Sequence, residues 1–467
     1  MEHYNNLVQA LKMQRYVCDS SLMGSGKTYT AVATCLRLGL SLTVVCPKSV
    51  VPTWKQVSKV FGIPAFIINY TKLQMNNPLL VKGDKWKYIP TEFAKERIRQ
   101  GTLLVFDEAQ NMKNKSNRFD AGVMLAKEIY KVENKRSRVM LLSATAVDKM
   151  EQLENVCRLL GIIKSDTLAR YDIQRGYILT GLSEFLDACP IKESEKKYYL
   201  KSINKTNKFQ RLFDLFLIHI KPKCFFSMPN PEIEGTLDVK NGYYYISKEA
   251  TVKMGELMGN LNTILYQIEK FQEGQIKWDP NNNPWTHLKN CYKKMEHIKA
   301  KDMCIEAKKL LVPNKKNKVV LVYFYTQSIT DSAETLKDYN PLILNGKTKD
   351  REETIRLFNE DPKHRVLVCN LKVGSEGISL HDTIGDSPRF MLISPNWFVM
   401  HMHQVSYRIY RTGTIGTATV RYFYYREYVD ETKILHRIAE KSIVMSKMKD
   451  EKVKADCPSE HENIYID

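Results

Sequence analysis

Gly24-Ser25-Gly26-Lys27-Thr28 is preceded by a short apolar segment and followed by a helix-like stretch from Tyr29 to Leu38. A strand, a glycine-rich turn and a helix in that order make a loop whose backbone amides can cradle phosphates. Gly24, Ser25 and Gly26 would let the backbone approach the phosphates, Lys27 would reach the β and γ phosphates, and the Thr28 hydroxyl would ligate Mg²⁺. The generic pattern opens with Gly where this chain has Ser21. The competing reading, a plain glycine-rich turn, has to be weighed against what lies downstream.

Downstream, apolar runs alternate with helical stretches, the pattern of a parallel α/β sheet. The strands expected are Leu42–Cys46, Ala65–Ile68, Leu103–Phe106 and Val139–Leu142, each ending at a chemically unusual segment. Ligands of open α/β sheets sit beyond the carboxyl ends of the strands, so that is where chemistry is expected. From about residue 165 the pattern becomes long helical stretches with Pro- and Asn-rich breaks such as Trp278-Asp279-Pro280-Asn281-Asn282-Asn283-Pro284. In it, Leu257, Leu261, Ile264, Leu265, Ile268 and Phe271 recur at helical spacing, which reads as an ordinary core-facing helix. Val312 to Lys318 reads as a solvated linker, after which Val319–Tyr323, Arg365–Cys369, Phe390–Ile393 and Thr419–Phe423 predict a second sheet. The expected architecture is α/β: a first parallel-sheet domain over 1–165, a largely helical insertion over 166–312, a second sheet domain over 313–445 and a mobile tail over 446–467.

Composition agrees with a globular chain: 467 residues, 43% hydrophobic and 26% charged. The polar start, Met1-Glu2-His3-Tyr4-Asn5-Asn6, is no secretory signal and no apolar run is long enough to span a bilayer, so an intracellular location, in cytoplasm or nucleus, is expected. Ten cysteines are scattered without a C-x-x-C pair, which argues against a zinc ribbon or a disulfide scaffold; His401 and His403 have no third metal ligand nearby. The net charge of +19 favours a polyanionic partner, although basic proteins can simply be basic.

Asp107-Glu108-Ala109-Gln110 closes the strand Leu103–Phe106. A carboxylate there, Asp107, can complete the Mg²⁺ site begun by Thr28, and Glu108 can act as general base on the water that attacks the γ phosphate. A pair of surface acids is the bland alternative, weakened by the phosphate loop upstream. Ser143-Ala144-Thr145 follows the next strand and gains its meaning only from that order. In the second sheet, Gly374-Ser375-Glu376-Gly377-Ile378-Ser379-Leu380 could let the backbone approach a ligand. Gln404-Val405-Ser406-Tyr407-Arg408-Ile409-Tyr410-Arg411 follows. Two arginines three apart share a helical face, which makes Arg411 a candidate arginine finger with Arg408 beside it and Gln404 a turn earlier; a basic helix surface is the alternative.

With those motifs in order, the chain resembles the SWI/SNF-type branch of helicase superfamily two across most of both sheet domains. Val44-Val45-Cys46-Pro47-Lys48-Ser49-Val50-Val51-Pro52-Thr53-Trp54 resembles that branch's second motif, with its Trp after a Cys-Pro turn. Ile67-Ile68-Asn69-Tyr70, Asp107 to Asn114, Leu344-Asn345-Gly346-Lys347-Thr348 with Arg351, and Phe358-Asn359 extend the likeness. The wording is most similar to compact members from large DNA viruses and phages, where a segment like Cys18-Asp19-Ser20-Ser21 leads into the loop. The resemblance implies two RecA-like domains, ATP and Mg²⁺ as cofactors, and catalytic roles for Lys27, Glu108, Gln404, Arg408 and Arg411. In superfamily two such a Ser-Ala-Thr triplet couples the ATP site to domain movement. The departures are Tyr407 where Gly usually precedes the first arginine, Gln110 where His is commoner, and little room upstream for the adenine-reading glutamine, for which Gln9 is the weak candidate.

The resemblance implies an ATP-dependent translocase that closes and opens a cleft between its domains, with DNA more to be expected than RNA as its track, and transcription or replication machinery as possible partners. The track-holding candidates are the stretch Lys196 to Arg211, with Lys196, Lys197, Lys201, Lys205, Lys208 and Arg211 interleaved with Tyr198, Tyr199 and Phe209, and the set Lys289, Lys293, Lys294, Lys299 and Lys301. Either can also be a solvated helix face. Strand separation is one alternative activity; a binding factor that uses nucleotide only as a switch is another.

Overall fold

The computed structural model describes residues 2–22, 24–83, 87–133, 136–144, 146–147, 149–168, 170–172, 176–202, 208–229, 232–272, 283–428, 441, 444, 447 and 463–466. The chain divides into two compact units, residues 1–231 with 443–453 and residues 232–442 with 454–467.

In chain order the strands are β1 (Tyr16–Asp19), β2 (Ser41–Cys46), β3 (Ala65–Asn69), β4 (Leu80–Lys82), β5 (Tyr88–Pro90), β6 (Thr102–Asp107), β7 (Arg138–Leu142), β8 (Arg170–Asp172), β9 (Gly176–Ile178), β10 (Phe225–Phe226), β11 (Thr236–Tyr244), β12 (Lys318–Tyr323), β13 (Leu342–Leu344), β14 (Val366–Asn370), β15 (Arg389–Ile393), β16 (Thr417–Tyr425) and β17 (Asn463–Ile466). The first unit holds a six-stranded parallel sheet in the order β10-β1-β7-β6-β2-β3. Its strands read as unbroken apolar runs because both faces are covered. Leu103 and Val105 pack into one core, against Val17, Leu42, Val44, Trp54 and Met140, while Leu104 and Phe106 pack into the other, against Phe119, Leu141 and Val156. Helices between the strands begin where side chains satisfy their first free amides: Thr91 accepts from Ala94 N and Ser116 from Phe119 N.

The second unit holds a seven-stranded parallel sheet, β13-β14-β12-β15-β16-β11-β17. Together the units are the two parallel α/β sheets of a tandem RecA-like architecture, and every strand expected from the sequence is present.

The stretch 166–312 differs from a separate helical insertion, because it is shared between the units and contributes a strand to each sheet. β10 pairs with β1, whereas β11 pairs with β16 along nine residues, Thr236 to Tyr244. Its helices Lys248–Gln272 and Pro284–Leu311 belong to the second unit. Lys318, read as the end of a solvated linker, is buried as the first residue of β12, and its ammonium donates to the carbonyls of Phe358, Asn359 and Asp361. Within the stretch read as a mobile tail, β17 pairs with β11; most of that stretch lies outside the described residues.

Candidate nucleotide site

The carboxyl ends of β1, β7 and β6 lie side by side, with Leu142 in register with Asp19 on one side and Asp107 on the other. The phosphate-loop residues leave β1 at this edge. Gly24 and Gly26 take φ of 79° and 86°, the left-handed region that glycine enters without strain. At Gly26 a Cβ would meet nothing within 4 Å, so backbone conformation rather than space requires glycine there. The helix Lys27–Arg37 starts immediately afterwards, and its first amides face the loop. Lys27 Nζ donates to the carbonyls of Ser21 and Leu22, both at 2.8 Å, so the ammonium is curled into the loop. Thr28 is half-buried in the first turn, and Gln9 is exposed on the helix Glu2–Met13.

Asp107 ends β6, and its carboxylate is buried. Trp54 Nε1 donates to Asp107 Oδ2 at 2.8 Å, and the Tyr70 hydroxyl donates to the Asp107 carbonyl at 2.6 Å. Residues from two other motifs thereby fix this one acid. Burial, with the Glu108 carboxylate next to it, pushes the Asp107 carboxyl well above the usual carboxylate range, while Trp54 and the Lys27 ammonium pull it back. A buried acid under these opposing influences is suited to a cation, which relieves both the desolvation and the repulsion. The donor set of Asp107 and the Thr28 hydroxyl is all oxygen, as Mg²⁺ prefers.

Glu108 has φ 53° and ψ 53°, an uncommon left-handed conformation for a residue with a Cβ. It turns the chain sharply out of the strand. Gln110 Nε2 donates to Glu108 Oε2 at 2.5 Å, and Ser143 Oγ donates to Gln110 Oε1 at 2.7 Å. Gln110 therefore bridges the acidic motif and the Ser-Ala-Thr segment. Thr145 lies outside the described residues.

In the second unit, Gly374 packs so closely that a Cβ would come within 3.0 Å of Cys369 Sγ and 3.1 Å of Val405 Cγ2, and Gly377 takes φ 65°. The helix after β15 runs Val399–Ser406 and stops there. Arg408 and Arg411 consequently lie in the turns beyond it rather than on a shared helical face. Arg408 is buried, donating to the Ser375 and Ile378 carbonyls, while its own carbonyl accepts from Leu380 N. Tyr407, at φ −84° and ψ 8°, has a conformation open to any residue, so the usual glycine is not needed for this packing. Arg411 is half-buried and donates to Ser379 Oγ at 3.1 Å; the Ser379 carbonyl in turn accepts from Asn359 Nδ2 at 2.9 Å. Gln404 is buried, and its Nε2 has no hydrogen-bond partner among the described residues.

In both basic stretches some lysines are already engaged. Lys196 is paired with Asp187 at 2.9 Å, Lys299 is buried, Lys301 is paired with Glu249, and Lys205 lies outside the described residues. Lys293 and Lys294 are exposed and line, with Lys253, His287 and His297, an open groove of about 850 Å³ between the helices Lys248–Gln272 and Pro284–Leu311. Among the described residues there is no group of three or more potential metal ligands, and no helix is long and apolar enough to cross a membrane.

Sequence reasoning missed His3 and the buried cluster that it forms with Asp19 and Ser21. It also missed the Trp54 to Asp107 bond, although both residues stood in quoted motifs.

The chain is 24% identical over 416 residues to the Acanthamoeba polyphaga mimivirus protein named "Putative ATP-dependent RNA helicase L364". The match covers 84% of this chain and 72% of the mimivirus protein. A match over that share of the chain supports a relation to helicases. No family model matches the chain.

Proposed function

We propose that the chain is a nucleic-acid-dependent ATPase that moves along its polymer, a translocase of the SWI/SNF-type branch of superfamily two. The observation that carries this reading is the placement of Lys27, Asp107, Glu108 and the Gln110 to Ser143 bridge at adjoining strand ends of one sheet. Lys27 would bind the β and γ phosphates, and Glu108 would take the proton of the attacking water. Thr28 and Asp107 would hold Mg²⁺, which when bound neutralises phosphate charge. Arg411 supplies the cation for charge developing in the transition state. Arg408, buried against the Ser375 and Ile378 carbonyls, shapes the loop that carries Ser379, the residue to which Arg411 is bonded. Gln404, whose Nε2 has no hydrogen-bond partner among the described residues, would be available to a ligand.

The mimivirus protein's name specifies RNA, whereas the resemblance to the SWI/SNF-type branch implies duplex DNA; DNA is the track proposed. Lys293 and Lys294 in the open groove are candidate phosphate contacts. An enzyme of this kind would serve transcription or replication machinery.

The test is steady-state phosphate release at one salt concentration with no polymer, duplex DNA, single-stranded DNA or RNA. Stimulation by duplex DNA, lost in Glu108→Gln, is the expected result. Stimulation by RNA alone would replace the track; nucleotide binding without turnover in any condition would replace the motor by a nucleotide switch.

A further inference from the structure

Asp19, Ser21 and His3 form a buried polar cluster in the first unit. Asp19, the last residue of β1, is fully buried, as is Ser21, and His3 on the first helix is 8% exposed. Asp19 Oδ1 accepts from the Ser21 amide at 3.0 Å and also from the Ser21 hydroxyl. Asp19 Oδ2 faces His3 Nε2 at 3.2 Å, and that same nitrogen lies 3.5 Å from Ser21 Oγ. A Ser, a His and an Asp in contact invite comparison with a hydrolase triad, but the geometry refuses it. The same imidazole nitrogen faces both partners, the hydroxyl is bonded directly to the carboxylate, and the serine is inaccessible.

The remaining bonds point elsewhere. Ser21 is the first residue of the phosphate loop, and its carbonyl accepts from Lys27 Nζ. Its hydroxyl oxygen accepts from the amide of Met228, a residue 207 positions later. Around that bond, Ser20 N donates to the Phe226 carbonyl at 2.8 Å, and the Ser20 and Ser227 hydroxyls are 2.7 Å apart. Phe226 ends β10, and the chain passes into the second unit a few residues on, at Glu232. Ser21 thus joins the phosphate-loop lysine, the end of β1 and the segment through which the chain leaves the first unit.

We infer that His3, Asp19 and Ser21 are positioning residues for the nucleotide site, and that the Ser21 hydroxyl is the joint that fastens the phosphate loop to the exit segment 225–228. The inference rests on the ATP-site reading above. Asp19 and Met228 fix the Ser21 side chain, and through its carbonyl they fix the place of the Lys27 ammonium. When phosphate oxygens compete for that ammonium, the hold on the Ser21 carbonyl changes, and the Met228 amide on the other side of the same residue registers the change. The glycine of the generic pattern lacks the hydroxyl and would make neither side-chain bond.

The experiment uses the full chain, as wild type, Ser21→Ala and the exposed-site variant Ser227→Ala. It combines equilibrium titration with a fluorescent ATP analogue in Mg²⁺ and amide hydrogen exchange over residues 225–229 with and without that analogue. Loss of a buried hydrogen bond to a carboxylate predicts nucleotide affinity weakened roughly ten- to hundredfold in Ser21→Ala. Without nucleotide, the Met228 amide should exchange faster in Ser21→Ala. In the wild type the analogue should alter exchange at 225–229, and that response should vanish in Ser21→Ala. In Ser227→Ala, which disturbs no buried group, it should shrink. Unchanged affinity together with unchanged Met228 exchange in Ser21→Ala would overturn the joint while leaving the ATP site intact. A wild type that binds no analogue would instead overturn the ATP-site reading, and with it the positioning role. If Ser21→Ala does not fold, a Ser227→Ala response equal to the wild type's would overturn the joint.

Discussion

Replacing Gln110 by alanine would cut the bridge between the acidic motif and Ser143 while leaving Lys27, Asp107 and Glu108 in the chain. In the intact site the Gln110 amide holds Glu108 Oε2 at 2.5 Å, and its carbonyl oxygen accepts from Ser143 at 2.7 Å. A hydrogen bond to a charged group contributes about 1.5–3 kcal/mol. At about 1.36 kcal/mol per tenfold in rate, misplacing the base by the loss of that bond would slow turnover roughly 10- to 150-fold. Gln110 is half-buried, so water can replace part of the bond, and the lower end of that range is expected. Lys27 and the loop are untouched, so KM for ATP should move little while kcat falls. Steady-state phosphate release with saturating polymer measures both. Ser143→Ala supplies the second arm of a double-mutant cycle: acting through the same bridge, the two changes together should cost no more than Gln110→Ala alone. Turnover within twofold of wild type in Gln110→Ala, or effects that multiply in the double variant, would refute the bridge.

Three further predictions concern the second unit. Burial pushes the Glu296 carboxyl up from 4.5 to about 7, against the lowering influence of the Phe324 and Tyr325 amides that donate to it. A folded-state value above the unfolded one means stability fully present below pH 4.5 and lost as pH rises through 7, by about 3 kcal/mol in all. Denaturant unfolding of wild type and Glu296→Gln across pH 4–8 should show the difference between them shrinking over that window; parallel profiles would contradict it. Arg408→Ala should lower the thermal midpoint of the second unit, because it removes a buried cation bonded to two carbonyls. Arg411→Ala should leave the midpoint nearly unchanged yet slow phosphate release about 10³-fold or more, as read by calorimetry and turnover on the same preparations.

The central strands were legible because a fully covered parallel sheet imprints unbroken apolar runs, and Leu103–Phe106 and Val319–Tyr323 are plain examples. β10 was not, since two phenylalanines at a sheet edge carry no periodicity, and its partner lies some 200 residues earlier, at Cys18 and Asp19. Lys318 looked like linker because a lysine is normally exposed; the three carbonyls that hold its ammonium come from a helix end 40 residues on. The glycines and the Asp107 motif could be read locally, since a turn or a strand end needs particular residue types. The helical-face argument for Arg408 and Arg411 failed because nothing in the local spacing signals that the helix stops at Ser406. The pairing of His3 with Asp19 was silent for another reason: nothing in either residue points to the other, and only the fold brings the first helix onto the end of β1.

The late arrival of β10 also bears on how the protein can be dissected. Phe225 and Phe226 cover the outer edge of β1, the strand that leads into the phosphate loop. A fragment cut near residue 165, where the sequence pattern first changes, would leave the backbone amides and carbonyls of β1 open to pairing with another molecule. It would also lose Phe213, Phe216 and Cys224, which belong to the same buried core as Phe106 and Leu141. Such a fragment should self-associate. A longer one ending at Pro229 retains the edge strand and that part of the core, and is the piece to prepare for isolating nucleotide binding from the rest of the chain.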